Sequence, residues 1–198
     1  HFFDGAVVRA VVAALPTGAR LMIGNSLPVR HLDQFSEPTT HALQIFGNRG
    51  ASGIDGVTST ALGIAAAGAE PLVLITGDIT FFHDMNGLLA IRQHDLCNVT
   101  IVLLNNDGGS IFRRLPVAKF EPSFTPLFLT PHGLDFSQVA ALYGIGYAQT
   151  HDADEFQQRF AQAIAGERAT IIEVQTDGAT DLQHQQTLAG KIVDATNV

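Results

Sequence analysis

Two apolar runs in this chain stop against oxygen-bearing side chains. Pro71–Thr76 is followed by Gly77-Asp78, and Val99–Leu104 by Asn105-Asn106-Asp107-Gly108-Gly109. Asp78 offers a carboxylate and Asn106 an amide oxygen. If the two runs are neighbouring strands, both oxygens can reach one ion. Hard oxygen donors suit Mg²⁺ rather than Zn²⁺. Mg²⁺ held by few protein oxygens commonly binds phosphates as well. Gly77 lets a ligand approach the backbone, and the N–H groups that open the next helix can meet an anion. The set suggests a metal-bridged diphosphate. The plain alternative is a helix N-cap at Asp78 and ordinary turn material at Asn-Asp-Gly-Gly. Either cluster alone fits that alternative, whereas the pair at the ends of successive strands is more informative.

Anionic ligands also need cations. The chain has 11 Lys+Arg and a net charge of -8, which argues against general nucleic-acid or membrane-surface binding. Five of those cations, Arg30, Arg49, Arg113, Arg114 and Lys119, fall in segments that follow apolar runs. A guanidinium grips a carboxylate with two bonds, so Arg30 and Arg49 are candidates for carboxylate substrates. Other features carry less. The eight histidines show no metal-ligand spacing, and His83 reads as a helix-start residue. Asn98-Val99-Thr100 matches a glycosylation sequon but enters a buried-looking strand. Gly53, Gly56 and Gly63 lack the acidic residue and spacing of a dinucleotide loop. Cys97 stands alone, so there is no disulfide framework and no paired-cysteine metal site, which suits a cytoplasmic setting.

The elements that must position these residues alternate along the chain. Helices are expected at Asp4–Leu15, in the small-residue stretch ended by Gly68, and over 82–94, 135–143 and 153–165. Strands are expected at Arg20–Ile23, Ala42–Phe46, 71–76, 99–104, 146–150 and 169–175, with a polar tail after them. Between Asn105 and Gly133 the prolines and phenylalanines suggest a partly ordered lid that would exclude water. With 198 residues, 46% hydrophobic, one globular domain is expected. Alternation of this kind predicts an α/β fold, a doubly wound, mainly parallel sheet of about six strands with helices on both faces. In such a sheet the carboxyl ends of the strands share one edge, and ligands bind there. The polar clusters 24–30, 47–53, 77–80 and 105–119 should therefore gather on one rim.

Gly77-Asp78 followed by "LLNNDGG" resembles the metal motif of the thiamin-diphosphate enzymes, which begins with GD and ends with NN. Ile79 departs from the glycine usual at its place. "GNSLPVR", "NRGASGIDG", "NNDGGSIF", Leu115-Pro116 and "TDGATDLQ" resemble one branch of that family, the 2-succinyl-5-enolpyruvyl-6-hydroxy-3-cyclohexene-1-carboxylate synthases (MenD). The resemblance covers nearly the whole chain and implies its C-terminal, diphosphate-binding domain. It implies thiamin diphosphate with Mg²⁺, or Mn²⁺ in its place, held by Asp78, Asn106 and the Gly108 carbonyl. Cofactor contacts would come from Ser52, Gly77, Ile79, Thr80 and Gly109. Ile54 would be the apolar wedge that bends the cofactor, and Ile111, Phe112 and Leu115 would line its pocket. Ser26, Arg30 and Arg49 would face substrate.

The reaction so implied decarboxylates 2-oxoglutarate and joins the remainder to isochorismate, in menaquinone or phylloquinone biosynthesis. It also implies a homodimer or homotetramer, because the glutamate that activates the cofactor sits on a pyrimidine-binding domain of a partner subunit. Neither Glu70 nor Glu121 is placed to replace it, so residues 1–198 alone are expected to be inactive. Two other readings stay open. One is a different thiamin-dependent 2-oxoacid decarboxylase or acetolactate-type synthase. The other is a non-catalytic binding or assembly domain.

Overall fold

The apolar runs form one six-stranded sheet in the computed structural model, which describes residues 2–196. The strands are β1 (Arg20–Ile23), β2 (Gln44–Phe46), β3 (Leu72–Gly77), β4 (Val99–Asn105), β5 (Gly146–Thr150) and β6 (Thr170–Gln175). Their order is β2-β1-β3-β4-β6-β5, and every neighbouring pair is parallel. The doubly wound expectation holds. β3 and β4 are buried along nearly their whole length, as strands covered on both faces must be.

Strand side chains alternate between two cores. Leu72, Leu74, Ile101, Leu103 and Ile171 face α3 (Val57–Ala66), α4 (Asp78–Asp84), α5 (Leu89–Gln93) and α6 (Ser137–Tyr143). Val73, Ile75, Val102, Leu104 and Ile172 face α1 (Asp4–Ala14) and α7 (Ala153–Ala165), which contribute Val7, Val8, Val11, Phe156 and Phe160. α2 (Leu27–Phe35) packs beside α1, and α8 (Gly178–Thr196) closes the described chain.

Four differences from the sequence expectations have local causes. The 24–30 cluster opens into α2, because Pro28 lies in its first turn, where a missing N–H costs nothing. The helix expected over 82–94 starts at Asp78 and breaks into α4, a 3₁₀ turn at Met85–Leu88, and α5. The polar tail is α8, and the Asp177 carboxylate just before it accepts the Thr180 N–H at 2.7 Å. The 105–133 segment is a run of short turns tied down by packing: two 3₁₀ turns, Ser110–Arg114 and Pro116–Lys119, then one π-helical turn, Thr125–Leu129. Phe124 is buried and stacks on Phe128, which meets Phe112 edge-on, while Phe120 is exposed. Asn98, set aside as a sequon, donates from Nδ2 to the Gly68 and Glu70 carbonyls at 3.0 Å each and so braces the turn before β3.

Candidate functional site at the carboxyl edge of the sheet

The chain leaves β1 toward β2 and leaves β3 toward β4, so the winding reverses between β1 and β3. That is where open α/β sheets bind ligands. A cavity of about 130 Å³ lies there, lined by Ser26, Leu27 and Pro28 after β1, Ile54, Gly77–Thr80 after β3, and Asn106 and Gly108–Phe112 after β4. Gly77 pairs with Leu104 in register, so Asp78 and Asn106 leave neighbouring strands at nearly the same level.

Asp78 is 2% exposed. Its Oδ1 accepts the Ile79 N–H at 2.7 Å. Its Oδ2 accepts the Gly108 N–H at 2.9 Å, the Asn106 N–H at 3.2 Å and the His132 ring at 3.2 Å. His132 Nδ1 accepts the Leu134 N–H at 3.0 Å, so Nε2 carries the ring hydrogen and donates to Asp78. Burial raises the Asp78 pKa, and these donors oppose the rise. The second carboxylate of the motif, Asp107, faces away. It accepts the His132 and Gly133 N–H groups at 2.9 and 2.8 Å and thereby holds the loop that carries His132. Asn106 Oδ1 accepts the Ser110 hydroxyl at 2.9 Å, and its Nδ2 donates to Asp4 Oδ2 at 3.2 Å.

These residues fit a divalent cation. Among the described residues no Lys or Arg pairs with the buried Asp78 carboxylate, and its side-chain partner is the His132 ring. Asp78 Oδ1 and Asn106 Oδ1 each accept one bond, which leaves each a lone pair. Above Gly77, a Cβ would meet no atom within 4 Å, so the backbone there has room for a phosphate.

The chemistry-bearing residues read from sequence are only partly assembled. Ser26, Ile54, Gly77, Asp78, Ile79, Thr80, Asn106, Gly108, Gly109, Ile111 and Phe112 line the cavity. Arg30, Arg49, Ser52 and Leu115 do not. Arg30 lies on α2 and donates to the Ser26 carbonyl at 2.5 Å. Arg49 donates to Asn25 Oδ1 at 2.6 Å, and the exposed Ser52 hydroxyl bonds the Arg49 carbonyl. Leu115 is half exposed. Arg114 turns from the rim to Gln185 on α8. Ser26 has φ 71°, a conformation costly for a residue with a Cβ, and such strain clusters at working sites. His132 and Asp4 went unread. His132 stands 54 residues from Asp78 in an aperiodic segment, and no spacing rule links them.

Residues 26–174 match the family described as thiamine pyrophosphate enzyme, C-terminal TPP binding domain. The chain belongs to that family. Among curated relatives, the 2-succinyl-5-enolpyruvyl-6-hydroxy-3-cyclohexene-1-carboxylate synthase of Roseiflexus sp. (strain RS-1) is 55% identical over 190 residues, covering 94% of this chain and 32% of the relative. The enzyme of that name from Haloarcula marismortui is 47% identical over 176 residues, covering 89% of this chain and 29% of the relative. The chain thus spans about a third of the length of the curated relatives it matches. The thiamine diphosphate-dependent 4-hydroxybenzoylformate decarboxylase of Rhodococcus jostii RHA1 shares the fold, with a TM-score of 0.72 over 88% of this chain and 32% of that chain, at 20% identity. The chain therefore carries a C-terminal TPP binding domain and is similar in sequence to the MenD synthases. Among the described residues no helix is long and apolar enough to cross a membrane.

Proposed function

We propose that this domain holds the diphosphate end of thiamin diphosphate through Mg²⁺, in a synthase that decarboxylates 2-oxoglutarate and joins the product to isochorismate. The observation that carries the reading is the buried Asp78 carboxylate at the winding reversal, level with Asn106 and beside the open backbone of Gly77. Asp78, Asn106 and the Gly108 carbonyl would hold the metal. Gly77, Ile79, Thr80 and Gly109 would contact the cofactor, with Ser52 brought in from the exposed 50–53 turn. When bound, the cofactor supplies an electron sink for loss of CO₂ from a 2-oxo acid.

The rest is work for the chain's own side chains. His132 and the amides of residues 79, 106 and 108 hold the Asp78 carboxylate in place. Ile54, Ile111 and Phe112 give the cavity an apolar wall that excludes water, and Leu115 extends it. Ser26, Arg30 and Arg49 would face the substrate carboxylates. Both arginines spend hydrogen bonds inside the protein, so each has part of its fork left for a ligand.

Among the described residues no glutamate reaches the cavity to act as an activating carboxylate. Glu70 pairs with Arg20, Glu121 bonds Thr125, and Glu173 is engaged by Asn105 and Tyr147; none lines the cavity. We therefore expect residues 1–198 to need a pyrimidine-binding domain, supplied by a partner subunit in a homodimer or homotetramer. The test follows CO₂ release from a panel of 2-oxo acids with thiamin diphosphate and Mg²⁺, with and without isochorismate, and with and without an added pyrimidine-binding domain. Turnover of 2-oxoglutarate that requires the added domain and yields coupled product with isochorismate supports the reading. Turnover by residues 1–198 alone, or preference for another 2-oxo acid, contradicts it.

A further inference from the structure

Beside Asn106, where Asp4 reaches the wall of the cavity, three side chains from distant parts of the chain meet. Asp4 opens α1, His31 lies on α2 and Asp181 on α8. All are buried, and one potential ligand atom from each lies within 4.8 Å of the others. The Asp4 backbone N–H bonds Asp181 Oδ2 at 3.1 Å, and Asp4 Oδ1 accepts the Thr176 hydroxyl at 2.8 Å. His31 is the independent observation. It is 0% exposed, and neither ring nitrogen has a hydrogen-bond partner. A buried polar group left unpaired costs about 1–3 kcal/mol, so two bare nitrogens beside two carboxylates make an unsatisfied set.

We propose that Asp4, His31 and Asp181 form a second divalent-cation site, for a transition metal such as Zn²⁺ that accepts imidazole. One ion would take one of the two ring nitrogens and balance both carboxylates. An imidazole with two carboxylates fits Zn²⁺ or its neighbours in the first row better than Mg²⁺, which prefers oxygen alone. Ligation would draw the three ligand atoms, which lie within 4.8 Å of one another, onto bonds of about 2.0–2.2 Å. The nearby cation, Arg114, donates to Gln185 and not to either carboxylate. Leu182, next to Asp181, and Phe35 line a cleft between α2 and α8 of about 380 Å³. The role is structural. The buried residues of α8 are Gly178 and Asp181, so a metal at Asp181 would staple this otherwise loosely held helix to α1 and α2.

The experiment titrates Co²⁺ into the chain carrying Cys97→Ser, which removes the exposed thiol, in excess Mg²⁺ to fill the all-oxygen site. The visible spectrum reports cobalt coordination, and hydrogen exchange follows residues 178–196. The proposal expects one saturable Co²⁺ and slower exchange in α8. It also expects roughly tenfold or greater loss of affinity in His31→Leu, which keeps volume without nitrogen, and in Asp181→Asn, since even outer-shell partners of a metal are worth 10–100-fold. Absence of saturable binding, or binding unchanged in His31→Leu, overturns it. Should His31→Leu not fold, unchanged exchange of α8 at cobalt saturation in the parent overturns it as well.

Discussion

Replacing Asp78 separates its two duties, holding the backbone and binding the metal. Its carboxylate accepts three backbone N–H groups, from Ile79, Asn106 and Gly108, and a fourth hydrogen bond from His132. Asp78→Asn keeps the shape. With its single oxygen turned toward Asn106, Gly108 and His132, it loses only the Ile79 bond, at about 1–3 kcal/mol for one stranded buried donor. Asp78→Ala strands all three amides, so it should cost two to three times as much, less whatever water entering the cavity recovers. The Asp78 pKa is raised chiefly by burial, so removing the charge also relieves a desolvation penalty. That relief is common to both variants and cancels in their difference. On metal-dependent cofactor binding the two should agree, since neither keeps a charged ligand, and affinity should fall by about a hundredfold or more (about 3 kcal/mol). Urea unfolding in chelator gives the first comparison, and calorimetry with thiamin diphosphate and Mg²⁺ gives the second. Equal stabilities would refute the hydrogen-bond accounting. Parent-like cofactor affinity in either variant would refute the metal assignment.

Gly108→Ala should unfold the chain or severely destabilise it, because a Cβ there would sit 2.1 Å from the Leu129 carbonyl oxygen at φ +136°; a parent-like thermal midpoint would contradict this packing. Tyr147→Phe should cost about 1.5–3 kcal/mol in urea unfolding, the usual range for a bond to a charged group, since its hydroxyl donates to the buried Glu173 carboxylate at 2.7 Å. In chelator, stability should fall as pH rises from about 5 to about 7. Burial above all, with repulsion from Asp78 on Asp4 and from Asp4 on Asp181, raises Asp4 to about 6 and Asp181 to about 7, so each holds its proton more tightly folded than unfolded, and that advantage is lost as pH climbs through these values. His31, pushed down to about 4 by burial, acts in the opposite sense below its unfolded value of 6.5, but one imidazole is outweighed by two carboxyls. Asp181→Asn should flatten the decline, and a parent whose stability rises across that window would contradict these assignments.

The central strands were legible because each is a short apolar run with a polar stop, and parallel strands covered on both faces leave that pattern. Asp78 and Asn106 were legible for the same reason, since the stops themselves carry the oxygens. Sheet order was not, because nothing in β4 or β6 names its neighbour before the chain folds. α2 was hidden by Pro28, which reads as a breaker unless it is known to sit in the first turn. α8 was hidden by a polar sequence with few buried residues. The arginines show a limit of reading by position. Arg30 and Arg49 follow strands as expected, yet their guanidiniums are partly spent on Ser26 and Asn25. His132, Asp4, His31 and Asp181 are joined only by tertiary contacts over 54 residues or more, or across separate helices, and no local period marks them.

The central claim is that the strand ends around Asp78 make a metal-dependent diphosphate site. Its most direct test is calorimetric titration of the chain with thiamin diphosphate in Mg²⁺ and again in chelator, with inorganic pyrophosphate as competitor. Binding that appears only with Mg²⁺ and is displaced by pyrophosphate is the expected result. Binding of equal strength without a divalent ion, or none under either condition, would contradict the account.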